Sequence, residues 1–282
     1  MSCRPATLWD MPPGQIGIWR LHQQRTDVVP EIEALGFSAL WVGGSPSLAQ
    51  VRPFLERSSA LTIATGILNV WGHEPADVAA QHAQLTRAFP GRFLLGIGVG
   101  HPEATSDYTK PLTKMREFFD GLDAAKEPVP RDERLAAALG PRMLDLAARR
   151  SLGTHPYFST PEHTRFARER VGPEALVAPE LAVVLEPHEE DARDTARAYA
   201  EGYLRRRNYT SNLLRFGFSD RDIADGGSDR LIDAVIPHGS ADQIAEAVRA
   251  HLDAGADHVC LQPLGHGTAP LDDYRALANV LL

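Results

Sequence analysis

Four histidines stand where apolar runs give way to glycine, proline or aromatic residues: His73, His101, His155 and His266. An imidazole with an unperturbed pKa of about 6.5 can donate or accept a proton at neutral pH, so each is a candidate acid or base. His101 lies in the richest exit, Gly98–Val99–Gly100–His101–Pro102, where glycine lets a backbone approach a ligand and Pro102 delays any helix. Gly96, Gly98 and Gly100 do not have the spacing of a dinucleotide fingerprint. Two other exits, Gly140–Pro141 and Thr160–Pro161, launch helices at once. Unpaired N–H groups at such starts attract phosphate, and Arg142 would add a charge. The same pattern is also ordinary capping, and Gly265–His266–Gly267 offers a second glycine-rich loop for phosphate. On spacing alone both stay open.

Other chemistries are poorly served. There is no His-x-x-x-His pair and no Cys/His cluster, so no metal site is expected. Nucleophile elbows and Walker loops are missing too. Glu103 and Glu186 each follow an apolar run and could form the carboxylate pair of a glycoside hydrolase. Against that, Glu186 precedes Pro187 at a helix start, where the helix dipole alone favours an acid. His82 shares a helix face with Val78, Leu85 and Phe89 and reads as packing or as interface.

The elements that must carry these residues alternate. Apolar runs at Gln15–Trp19, Ser38–Val42, Leu61–Leu68, Arg92–Val99, Arg134–Leu139, Gly153–Tyr157, Leu181–Leu185 and Asp257–Pro263 read as strands. Helical patterns separate them, and no hairpin signal joins any pair, which implies parallel pairing with right-handed crossovers. Eight such units predict an α/β fold, a TIM-type (β/α)8 barrel. One domain over residues 1–282 is expected, with insertions after the fourth and seventh strands, and Asn208–Asp233 reads as irregular. In such a barrel the site lies at the strand C-termini.

Composition narrows the class. Of the 282 residues 43% are hydrophobic and 23% charged, enough for a sizeable core. A formal net charge of -8 argues against nucleic acid as a partner. No apolar run approaches the ~18 residues that span a membrane. Cys3 and Cys260 stand far apart, and the N-terminus lacks a signal pattern, so a reducing cytoplasmic setting is expected.

The motifs Ala39–Val42, Thr65–Trp71 and Phe89–Gly100, followed by Ala138–Leu144, Gly153–Tyr157, Thr160–His163 and Ala254–Cys260, resemble the luciferase-like monooxygenase superfamily. More narrowly they are similar to its actinobacterial branch dependent on coenzyme F420, a deazaflavin. The resemblance implies a homodimeric barrel that moves a hydride between F420 and a small organic substrate, with FMN as the alternative cofactor. It implies a bulge with a non-prolyl cis peptide at Gly66–Ile67, behind the cofactor ring. It also implies ring or phosphate contacts from Gly44, Asn69, Gly98, Gly100, Gly140, Pro141, Arg142, His155 and Thr160. Relatives that oxidise alcohols carry an Asp–His pair after the second strand, where this chain has Gly44 and Ser45. Without that base, reduction of an activated double bond or imine is the expected direction, with His73, His101 or water supplying the proton. An FMN-linked monooxygenase and a catalytically silent dimeric barrel are the other readings.

Overall fold

Apolar runs too short for helices become buried strands, and each is covered by a helix that turns one apolar face inward. The computed structural model describes residues 15–101, 109–265 and 270–282. In chain order the first half contains β1 (Ile16–Leu21), α1 (Val29–Ala34), β2 (Ala39–Gly43), α2 (Leu48–Glu56), β3 (Thr62–Thr65), β4 (Leu68–Asn69), α3 (Pro75–Ala88), β5 (Phe93–Gly98) and α4 (Pro111–Ala124). Then come β6 (Arg134–Ala136), α5 (Pro141–Arg150), β7 (Gly153–Thr154), α6 (Pro161–Val171), β8 (Leu176–Val177) and β9 (Glu180–Val183). The remainder is α7 (Glu189–Leu204), α8 (Arg207–Arg215), α9 (Asp220–Ile223), α10 (Asp229–Val235), α11 (Ala241–Asp253), β10 (Val259–Pro263) and α12 (Leu271–Leu281).

All of these strands pair in parallel, in the order β8-β7-β6-β5-β3-β2-β1-β10-β9, with β4 also on β5. The sheet is curled. Only Ala178 and Pro179 separate β8, which pairs with β7, from β9, which pairs with β10. Ala178 N–H donates to the Thr154 carbonyl, while the Pro179 carbonyl accepts from Cys260 N–H. The α/β architecture expected from the alternation is therefore present.

Alternation along each strand divides the core in two. Trp19, Trp41, Ala64, Leu94 and Leu135 pack together on the inner side. Ile18, Leu40, Ile63 and Leu95, their chain neighbours, pack outward against helices. A further cluster, including Phe158, Ala192, Ala196, Leu213 and Ile232, holds α7, α8 and α10 together beside the strand exits.

Two expectations need correction. The stave placed at Leu181–Leu185 begins at Leu176, because Pro179 interrupts the apolar run yet still accepts a ladder bond through its carbonyl. Asn208–Asp233 is largely helical: Ser219 and Ser228 cap α9 and α10, and these helices are too short to show a clear period. The apolar face of α3, read as packing or as interface, packs inside the chain. Val78, His82 and Leu85 are only 1%, 2% and 4% exposed, with the His82 ring 5.6 Å from Phe93.

Burial also sets a pH dependence. His82, His155, His163 and His251 are buried, and desolvation pushes each down to about 4. The unfolded chain takes up protons below about pH 6.5 that the fold refuses, so this stability is complete above that pH and lost on acidification toward 4. Glu180 works the other way: burial raises its carboxyl, so the fold keeps a proton that the unfolded chain releases. Four histidines outweigh one glutamate. Thermal melts should show Tm falling by several degrees between pH 7.5 and 5; a flat profile would contradict this account.

Candidate active site

At the C-terminal ends of the strands lies a cavity of about 620 Å³. Its floor is the break between β3 and β4, where the Gly66–Ile67 peptide is cis. Trp19 fixes this bulge: its indole N–H donates to the Gly66 carbonyl at 3.1 Å. The indole can lie there because residue 43 is glycine. A Cβ on Gly43 would sit 1.7 Å from Trp19 Cζ2. Ile67 is seated in the same way, since a Cβ on Gly98 would come within 2.9 Å of its Cδ1 and 3.0 Å of Ala137 Cβ.

Beside the bulge the rim is tied together by short polar contacts. Asn69 N–H donates to Ser45 Oγ at 3.1 Å, and its side-chain oxygen accepts from Trp71 N–H at 3.0 Å. Gly44, Ser45, Asn69 and Gly100 all line the cavity.

His155 presents a fixed acceptor. Its Nδ1 lies 2.6 Å from the Ala178 carbonyl oxygen, which can only accept, so Nδ1 carries the proton. Its ring stacks on Trp41 at 4.2 Å. Nε2 is left as a buried lone pair with no hydrogen-bond partner among the described residues. It sits 3.1 Å from where a Cβ on Gly66 would begin. Burial holds the ring neutral, with its pKa near 4.

The structure separates the two candidate catalytic histidines. His101 lines the cavity, its ring 5.3 Å from that of Tyr209. His73 is partly buried, which lowers its pKa, but it does not line the cavity. Of the proposed phosphate residues, Gly140 reaches the cavity while Pro141, Arg142 and Thr160 do not. Arg142 is exposed on α5, and Thr160 is the buried N-cap of α6. His163, at the start of α6, ties the two helix starts together through the Leu139 carbonyl, 3.0 Å from Nε2.

Spacing had not pointed to α8. Tyr209 and Asn212 line the cavity from it, and Arg215 is the only formally charged side chain among the described lining residues. Their i, i+3, i+6 spacing on one helical face was the available signal. Trp19, Tyr157 and Tyr203 were missed as well.

Glu186 lies on a different cavity, and its carboxylate accepts from His188 N–H in its own turn. No carboxylate lines the main cavity among the described residues, so the glycosidase pair is not assembled there. Glu103, Pro102, His266, Gly267 and Cys3 fall outside the described residues. Among those described, no cluster of potential ligands could hold a metal ion. What remains is a chamber with one formal charge among its described lining and with Trp19, Tyr157, Tyr203 and Tyr209 on its walls, able to take a planar ring.

Residues 22–258 match the model of the luciferase-like monooxygenase family. The chain belongs to that family. Among curated proteins, this family member is similar to 4-hydroxyprotoasukamycin monooxygenase of Streptomyces nodosus subsp. asukaensis, 26% identical over 133 residues. That match covers 43% of this chain and only 34% of the relative's length. Among solved structures, an F420-dependent secondary alcohol dehydrogenase in complex with an F420-acetone adduct superposes with a TM-score of 0.75 at 14% identity, over 95% of this chain and 98% of that one. The FMN complex of the oxygenating constituent of 3,6-diketocamphane monooxygenase from Pseudomonas putida gives 0.65 at 15% identity, over 94% and 96%. Likeness at these identities establishes a shared fold. In this luciferase-like chain no helix among the described residues is long and apolar enough to cross a membrane.

If the indole over Gly43 holds the bulge, Gly43→Ala should destabilise the fold by about 2 kcal/mol or more. It should also shift the tryptophan emission. Denaturant unfolding read by fluorescence checks both, and a wild-type midpoint would contradict the packing argument.

Proposed function

We propose that this chain is an F420-dependent oxidoreductase that transfers a hydride between the deazaflavin and a small organic substrate. The observation that carries the reading is the cavity floor: the Gly66–Ile67 bulge pinned by Trp19, with the buried acceptor His155 Nε2 beside it. A buried acceptor without a partner calls for a donor, and a flavin-like ring carries N–H groups at its edge. Gly66, Ile67 and Gly98 would support the ring face, Gly44, Asn69 and Gly100 its rim, and Gly140 with Arg215 the anionic side chain. When bound, the cofactor supplies a hydride donor or acceptor. The protein's part is to exclude water with apolar and aromatic walls, to orient the ring, and to handle a proton at His101.

FMN is the second reading, favoured by the match to a monooxygenase and by the FMN-bound structural neighbour. Titration with each cofactor separates the two: F420 should bind, and clearly tighter FMN binding would overturn the assignment. His155→Phe should weaken whichever ring binds by about threefold to tenfold, the worth of one hydrogen bond. His101→Gln should lower turnover at least about tenfold while leaving cofactor affinity nearly unchanged, whereas His73→Gln should behave as wild type. Wild-type turnover in His101→Gln would remove it from the mechanism.

The chain is also proposed to act as a homodimer. With the apolar face of α3 already covered, the interface must use another surface. A monomer by light scattering at micromolar concentration would end that proposal.

A further inference from the structure

Three phenols and one carboxamide form a hydrogen-bonded belt along one wall of the cavity. Tyr199 and Tyr203 stand four residues apart on α7, which sets them one turn above the other. Their hydroxyls lie 3.0 Å apart. Tyr157, just beyond β7, reaches the Tyr199 hydroxyl at 3.0 Å. Gln262 on β10 joins them: its Oε1 accepts from Tyr157 at 2.6 Å and from Tyr199 at 3.0 Å. Three distant segments thus bring polar atoms to one point where phenylalanine would have packed as well. Tyr157 and Tyr203 line the cavity, with Tyr199 and Gln262 behind them.

The belt is built into an aromatic wall. Tyr203 stacks between Phe158, at 4.7 Å, and Tyr157, at 5.6 Å. Tyr157 meets the edge of Trp19 at 5.9 Å, which brings the inner end of the belt next to the residue that pins the bulge. Gln262 is the member of the belt that accepts twice. Gln262 Oε1 takes two of the three phenolic protons, and the Tyr199 oxygen takes the third from Tyr203. Turning the Tyr157 O–H toward the cavity breaks one bond and leaves Gln262 satisfied by Tyr199. Burial raises all three phenols, Tyr203 to about 12. They therefore remain donors across the neutral range.

We propose that Tyr157 is a catalytic residue that donates a hydrogen bond to a substrate oxygen, held in place by Tyr199, Tyr203 and Gln262 as positioning residues, and that the substrate is a planar ring bearing a conjugated carbonyl. This rests on the oxidoreductase reading above. A bound reduced deazaflavin would supply the hydride: as the substrate's β-carbon gains it, the C=C π pair shifts to form a double bond to the carbonyl carbon, and the carbonyl π pair moves onto oxygen as an enolate. Tyr157 O–H stabilises that developing charge. A proton, passed from water through His101, then bonds to the α-carbon and restores the carbonyl. The substrate gains two electrons and two hydrogens, and the deazaflavin is oxidised by two electrons.

The test uses 4-nitrophenol, whose anion mimics the enolate and is followed by its visible absorption, and cyclohexenone as the reducible probe. The full chain should bind the phenolate, and Tyr157→Phe should weaken that binding at least about fivefold. With F420H2 and cyclohexenone, the same variant should lose at least about tenfold in kcat while F420 titrates as in wild type. Tyr199→Phe, which leaves the cavity lining intact, should weaken phenolate binding in the same direction but less, and it stands as the test if Tyr157→Phe fails to fold. Phenolate binding that is absent in wild type, or unchanged in the variants, overturns the proposal. Should the phenolate effect persist while F420 fails to bind, the oxygen site stands and the oxidoreductase reading falls.

Discussion

An indole ring lying flat across a glycine is the contact on which the site depends. Trp19 occupies the space where any side chain at residue 43 would be, and from there its N–H reaches the Gly66 carbonyl. The bulge held in this way sets Ile67 against Gly98, and Gly98 in turn lets Ala137 close in from the next stave. Close packing of this kind leaves a neighbour no room to drift, so the cavity floor is positioned by the protein before any ligand arrives.

The same region is kept electrically quiet. The imidazole of His155 and the three belt phenols are all held in their neutral forms by burial. Arg215 stands exposed on α8 as the one formal charge of the described lining. In such surroundings a charge that develops during a reaction is poorly screened, so a few fixed dipoles act on it strongly. The tautomer of His155, set by the Ala178 carbonyl, is one such dipole.

Much of this was legible before the fold was seen, and the parts that were not share a cause. Apolar runs closed by glycine located most staves to within a few residues, because burial on both faces leaves a continuous signal. The glycine-rich exit at Gly98 and Gly100 is visible in the spacing, and likeness to the family pointed to the bulge at Gly66–Ile67. The indole over Gly43 was invisible, since nothing local says which side chain fills a glycine's empty space. Tyr157, Tyr199 and Gln262 are separated by 42 and 63 residues, and only tertiary pairing makes them neighbours. On α3 the apolar face was legible and its partner was left open, because amphipathicity records that a face is covered and not by what. His73 and His101 looked equivalent by spacing; the turn that follows β4 carries the first away from the cavity and leaves the second on it.

The two sides of the cavity are held in different ways. Strand exits that form the floor cannot change without disturbing the sheet that every other element leans on. Residues 207–215 belong instead to a helical excursion between β9 and α11, joined to the rest mainly through its own small core. Tyr209, Asn212 and Arg215 can therefore be exchanged, and one wall of the cavity reshaped, without a change in the strand exits beneath.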